Sequence, residues 1–225
     1  MRLYFHYCPS GFSNCYVLGT DLPSEDEEQA ASFHDDTSSQ RDAIIIDPGN
    51  MDSDILGLIE NNSYTLRGIL ITHDHPHHVR GLNTIKRIYD TEIFAINSTI
   101  REHRTTLVRD GDLFNIGPFR VEVISIPGHS ADSAVFKIGR FLFTGDTLTA
   151  GLVGGTASSY AAATQVTALR SKILSLPGDY TILPGHGPPS SLEAERRFNL
   201  GINSFDRRKN RRQPNNTREM LSTSL

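Results

Sequence analysis

Apolar and polar positions divide the chain into short runs whose period changes along its length. Residues 2–7 and 13–18 predict two strands around a Pro9-Ser10-Gly11 turn. Residues 20–42 break the pattern. They are poor in apolar side chains and rich in acids (Glu25, Asp26, Glu27, Glu28, Asp35, Asp36), which predicts a solvated loop inserted between strands. Residues 43–46 form a continuous apolar run that stops at Asp47-Pro48-Gly49, the mark of a strand buried on both faces. Residues 52–61 read as a helix with Ile55, Leu58 and Ile59 on one face. Residues 68–72 repeat the buried-strand pattern and lead directly into His73. A second helix follows Gly81, with Leu82, Ile85, Ile88 and Tyr89 inward, and then a strand over 93–96.

The second half begins with hairpins. Residues 113–116 and 119–124 alternate around Gly117-Pro118, and residues 134–138 and 140–144 turn at Gly139. Residues 161–176 predict an amphipathic helix with Val166, Leu169, Ile173 and Leu176 on one face and Pro177 just beyond. A last strand covers 180–183, and Ser190 with Glu193 predicts a capping box for a final helix. From Ser204 the chain is polar and basic (Arg207, Arg208, Lys209, Arg211, Arg212), a solvated tail. One domain over 1–203 and a tail over 204–225 follow. Two successive sets of strands, each followed by helices, predict two mixed β-sheets facing each other with helices outside.

Composition narrows the function classes. With 37% hydrophobic and 21% charged residues, the 225-residue chain is a folded soluble protein rather than a disordered one. A net charge of −4 argues against a chain-wide nucleic-acid footprint. No apolar run approaches the ~18 residues of a membrane span, and the start lacks the apolar core of a secretory signal. Two cysteines, Cys8 and Cys15, exclude a disulfide framework; they are expected to pack as small apolar groups in a cytoplasmic protein.

Histidine is the unusual residue. Six of nine fall in three short segments. In His73-Asp74-His75-Pro76-His77-His78, four imidazoles follow a buried strand. Charged, they would repel; neutral, each needs partners for both ring nitrogens, and a divalent cation meets both demands. Pro127-Gly128-His129-Ser130, Thr144-Gly145-Asp146-Thr147 and Pro184-Gly185-His186-Gly187 each place a ligand-type residue beside glycine at a strand end. Glycine lets backbone bend sharply and approach a metal closely. His6, His34 and His103 belong to no motif and are expected at the surface. Ser130 and Ser133 lack a nucleophile motif. Residues 151–155 are glycine-rich and expected as a loop over the site, and Tyr160 and Lys137 are within the range of residues that could touch substrate.

These segments resemble the metallo-β-lactamase fold superfamily, whose signature is His-x-His-x-Asp-His after a strand, then Gly-His, Asp and a last His. The resemblance covers about 14–199. It is nearest to the glyoxalase II-like (hydroxyacylglutathione hydrolase-like) single-domain branch, to which residues 127–130, 143–146 and 183–188 and Glu195-Arg196-Arg197 with Asn199 are similar. It implies an αβ/βα four-layer sandwich and two divalent metal ions, zinc first, with iron or manganese as alternatives. His73, His75 and His129 would hold one ion, His78 and His186 the second, and Asp146 would bridge them. The family has Asp where this chain has His77. His77 is expected to serve as a ligand of the second ion in its place; the alternatives are that His77 swings out and leaves one metal or a weak second one, or that Asp74 substitutes as the carboxylate. Related thioesterases also carry Gly-Arg-Thr-Asp near Gly154-Gly155-Thr156, and the longer enzymes add a helical glutathione-binding domain that too few residues after His186 leave room for.

The implied activity is hydrolysis of a small-molecule acyl ester, most of all a thioester, by a metal-activated hydroxide that Asp146 positions. Alternatives in the same fold are a non-haem iron redox enzyme, a phosphodiesterase and a catalytically inactive metal-binding protein.

Overall fold

Alternation along each central strand decides what the two faces bury. In a computed structural model that describes residues 1–21 and 41–203, the first half builds β1 (Arg2–Cys8), β2 (Ser13–Gly19), β3 (Arg41–Ile46), α1 (Ser53–Asn61), β4 (Tyr64–Leu70), α2 (Pro76–Val79), α3 (Leu82–Ile88) and β5 (Glu92–Ala95). A short ribbon of β6 (Thr99–Ile100) and β7 (His103–Arg104) precedes β8 (Thr106–Leu107). The second half adds β9 (Leu113–Ile116), β10 (Phe119–Ser125), β11 (Ala134–Ile138) and β12 (Phe141–Gly145). A ribbon of β13 (Leu148–Thr149) and β14 (Leu152–Val153) follows, then α4 (Ser159–Ala168), β15 (Thr181–Pro184), β16 (Ser190–Ser191) and α5 (Leu192–Phe198). The first sheet runs β1-β2-β3-β4-β5-β8 and the second β16-β15-β12-β11-β10-β9.

Tyr16, Leu18, Ile44, Ile46 and Leu70 of the first sheet meet Phe119, Val121, Val123, Phe136, Phe143 and Leu183 of the second in one buried layer. The intervening residues point the other way. Cys15, Val17, Ala43, Ile45 and Ile69 pack under Ile55, Ile59, Leu82 and Ile85 of α1 and α3. Ile124, Leu142 and Ile182 pack under Val166, Leu169, Ile173 and Leu192. Period-two side chains on two stacked sheets therefore produce the expected helix–sheet–sheet–helix layering. Each fully buried aliphatic or phenyl group in the layers contributes about 1.5–3 kcal/mol.

The same edge of both sheets carries the ends that matter. β3 and β4 are parallel, and β12 is parallel to β15 and antiparallel to β11, which is antiparallel to β10. The C-terminal ends of β10, β12 and β15 thus emerge together. The sheets are joined at this edge by backbone bonds from Asn14 N to the Gly185 carbonyl (2.7 Å) and from Ala134 N to the Thr72 carbonyl (2.8 Å).

Several details differ from expectation. Ile88 is 48% exposed; at 100° per residue it lies about 120° round from Leu82, whereas Tyr89 returns to the core face. The helix over 161–176 starts at Ser159 and widens into a π turn over Leu169–Ile173. Ser191, not Ser190, caps α5, accepting from Ala194 N, while the Ser190 hydroxyl donates to Glu195. Arg41 and Asp42 already belong to β3. The rest of the acidic segment, from residue 22 to 40 and including His34, and the basic tail over 204–225 lie outside the described residues. Cys8 and Cys15 are free and fully buried.

Candidate metal centre

Strand ends, and the short α2 that follows one of them, present the imidazoles and the carboxylate of the site. β4 passes through Thr72 into His73. His75 takes the extended cap position before α2 (φ −102°, ψ 146°), and Pro76 begins the helix with its fixed φ. His78, three residues on, turns inward and is fully buried. Beyond β10, a turn through Gly128 (φ +149°) presents His129. Beyond β12, Gly145 (φ +49°) turns the chain into Asp146; a Cβ there would lie 2.4 Å from Thr72 Oγ1. His186 follows β15 and Gly185.

Two donor groups result. His73, His75, His129 and Asp146 form one; His78, His186 and Asp146 form the other. Within each, one ligand atom per residue lies within 4.8 Å of the rest. Asp146 belongs to both. Its Oδ2 is 3.4, 3.6 and 3.8 Å from Nε2 of His78, His129 and His73, and its Oδ1 is 2.7 Å from His186 Nδ1.

Hydrogen bonds on the outer side of the rings assign the inner lone pairs. The Thr72 hydroxyl donates to Asp47 Oδ2 (2.6 Å), because a carboxylate only accepts. Its remaining lone pair therefore takes the proton of His73 Nδ1 (3.0 Å), which leaves His73 Nε2 as an acceptor. His129 Nδ1 donates to the Gly155 carbonyl (2.8 Å), and His186 Nε2 donates to the Gly11 carbonyl (3.2 Å). His75 Nδ1 stands 3.1 Å from both His73 Nε2 and His129 Nε2. Three imidazole nitrogens and a carboxylate oxygen thus converge with at most one proton among them. His186 Nδ1 lies 2.7 Å from Asp146 Oδ1; with the neutral ring's proton spent on the Gly11 carbonyl, that contact closes only with a second ring proton or a cation between the two. Such a surplus of buried lone pairs is costly unless a cation takes them, so these residues fit divalent metal.

The electrostatics agree for His73 and His75. Burial, reinforced by His78, pushes His73 down to about 3, and burial with His129 lowers His75, so both favour the neutral, ligating form. Burial also opposes charge on His78, but Asp47 and Asp146 overcome it and raise its pKa to about 10. Burial alone would raise Asp146, yet hydrogen bonds from His186 and His78 hold it well below the usual carboxylate range. His78 Nδ1 lies 3.3 Å from Asp47 Oδ2 without hydrogen-bonding alignment, and is left orphaned.

Six of the seven sequence-derived candidates come together. His77 does not. It is exposed, belongs to neither group, and its ring centre is 6.0 Å from that of His186. Asp74 is also outside both groups; its backbone N–H is tied to Asp132. Asp47 was not among the candidates, though it ends a buried strand beside Pro-Gly as the ligand segments do. Glu195 and Asn199 lie in a separate buried network, where Glu195 accepts from Gly151 N, Ser190 and Asn199. His6 is half-buried and bonded to Asp52 (2.9 Å), whose other oxygen caps α1. His103 pairs with Asn83. The Ser130 and Ser133 hydroxyls bond each other, Lys137 is paired with Glu122, and Tyr160 is 82% exposed. The glycine-rich stretch borders the site through the Gly155 carbonyl.

Residues 38–186 match the family model described as the metallo-beta-lactamase superfamily. The chain is 28% identical over 196 residues to the probable metallo-hydrolase YqgX of Bacillus subtilis, covering 74% of this chain and 90% of that protein. It is 36% identical over 148 residues to the hydroxyacylglutathione hydrolase of Francisella tularensis subsp. tularensis, covering 64% of this chain and 58% of that protein. The chain thus spans little over half the length of that hydrolase. The solved structure of TTHA1623 in a di-iron-bound form superposes with a TM-score of 0.68 at 22% identity, covering 88% of this chain and 98% of that one. Among the described residues, no helix is long and apolar enough to cross a membrane.

Proposed function

The chain belongs to the metallo-beta-lactamase superfamily, and on that premise we propose that it is a metal-dependent hydrolase of small acyl esters, thioesters foremost. His73, His75, His129 and Asp146 would hold one divalent ion, and His78, His186 and Asp146 a second. The observation that carries this reading is the pair of donor groups sharing Asp146, with lone pairs facing one another where protons are too few. Bound there, divalent ions supply Lewis acidity to the acyl carbonyl and to the attacking water.

The chain's own groups do the rest. Asp146, anionic throughout the working range, accepts a hydrogen bond from the attacking water and so aims one of its lone pairs; the proton that water gives up passes to solvent rather than staying on the carboxylate. The Asp47–Thr72–His73 relay and the Gly155 carbonyl keep His73 and His129 in one tautomer through the cycle. A thiol, with a pKa near ~8.5, leaves as its anion without a strong protein acid, which favours thioesters over oxygen esters at such a site. The name of the hydroxyacylglutathione hydrolase relative supports the same substrate class. The Gly154 position admits no side chain, since a Cβ there would lie 1.6 Å from the Asp146 carbonyl oxygen. On this reading the thiol carrier meets no side chain at 154.

Zinc is the first choice of metal, and the di-iron form of the TTHA1623 fold makes iron the second. The test is to strip the protein, reload it with zinc, iron or manganese, count metal by elemental analysis, and assay acyl thioesters, oxygen esters and phosphodiesters. Metal-dependent thioester turnover is expected. Metal-loaded protein that cleaves phosphodiesters but no thioester overturns the reading.

A further inference from the structure

Gln165 has no part in the reading above, yet it is fully buried in α4 behind the site. Its Nε2 donates to two carbonyls, Thr147 O and Gly154 O, both at 3.1 Å. Its side chain also presses on Gly128, where a Cβ would lie 2.4 Å from Gln165 Cβ and 2.8 Å from its Oε1. One side chain thus touches the turn that presents His129, the residue after Asp146, and the loop whose next carbonyl, Gly155 O, receives the His129 Nδ1 proton.

Packing alone does not account for the amide. Gln165 Oε1 is buried without a hydrogen-bond partner, a desolvation cost that an apolar side chain of equal length would avoid. What the position uses is the pair of N–H donors. We propose that Gln165 is a positioning residue for the metal centre: by pinning the Gly154 carbonyl to the segment after Asp146, it sets the Gly155 carbonyl that fixes the His129 tautomer and aims His129 Nε2 at Asp146. The part concerning metal rests on the function proposed above; the part concerning the tautomer does not.

The test is Gln165→Met, which keeps length and removes the donors, with Val166→Ala as a packing control on the same helix. In metal-free protein, nitrogen-15 NMR of the His129 ring reads the tautomer. In the same proteins, cobalt(II) titration followed by visible absorbance reads affinity. Wild type is expected to show the Nδ1–H form. Gln165→Met should populate the Nε2–H form and bind cobalt about 10–100-fold more weakly, the range for losing an outer partner of a metal-bound histidine. Val166→Ala should lower the melting temperature and leave both readouts unchanged. If Gln165→Met does not fold, Gln165→Leu carries the same readouts, since it also removes both donors and brings no polar atom of its own. A tautomer and affinity equal to wild type in the folded variant, or an equal loss in Val166→Ala, overturns the proposal. Wild type that binds no cobalt while its tautomer depends on Gln165 overturns the metal reading instead and leaves the positioning role standing.

Discussion

Gly185 sits so close to Asp146 that a Cβ on it would lie 2.5 Å from Asp146 Oδ1 and 2.6 Å from Cε1 of His78. Gly185→Ala should therefore push apart two donors of the same group. Overpacking of this kind costs about 1–3 kcal/mol, so the fold should survive by circular dichroism while metal content falls toward one ion per chain. Two ions by elemental analysis would contradict this.

Asp47→Asn should reverse a proton relay. An amide at 47 donates to Thr72 Oγ1, so the hydroxyl donates to His73 Nδ1 and moves the ring proton to Nε2, facing the site. Metal affinity should drop about 10–100-fold, with the shift visible in the histidine nitrogen spectrum of the metal-free protein.

His75 and His77 make a matched pair of opposite expectation. His75→Ala removes the nitrogen that stands between His73 and His129, and should abolish tight binding at that group and turnover with it. His77→Ala removes an exposed ring and should change stability by no more than about 0.5 kcal/mol, with metal count unaltered. Loss of one ion from His77→Ala would restore His77 as a ligand.

The metal-free protein should be most stable near pH 6.5. His78, raised from 6.5 to about 10 by Asp47 and Asp146 against its burial, contributes fully below 6.5 and loses that contribution as pH climbs to 10. His73, lowered to about 3 by burial and His78, contributes above 6.5 and loses it as pH falls toward 3. His75 acts in the same direction, and Asp146 adds a loss below its ordinary 3.8. Thermal melts with chelator should fall on both sides. Reloading metal should flatten the alkaline side, because the ion replaces the His78 proton. A chelated protein with no alkaline loss would refute this account of His78.

How far the sequence carried these conclusions depends on what each pattern encodes. Period-two alternation in residues such as Tyr16, Val17 and Leu18 assigns each side chain to one of two layers, so the sandwich was legible. Glycine beside His129, Asp146 and His186 marked the strand ends that converge. His77 stands apart from both donor groups because a run of histidines says nothing of the helix it starts: once Pro76 opens α2, consecutive residues diverge by 100°, and His78 turning inward sends His77 out. Ile88 went astray for the same reason. Asp47 and Gln165 act through hydrogen bonds to residues distant in sequence, and no local spacing announces such partners.

The donors divide evenly between the halves of the polypeptide, with His73, His75 and His78 before residue 100 and His129, Asp146 and His186 after it. Neither sheet by itself possesses a complete set of claws. On the proposed reading, cation capture during synthesis would be a late event that waits for Asp146, and for the second group His186, to clear the ribosome. A captured ion would rivet the two sheets across their seam, so that chelation would loosen the architecture as well as silence the proposed chemistry.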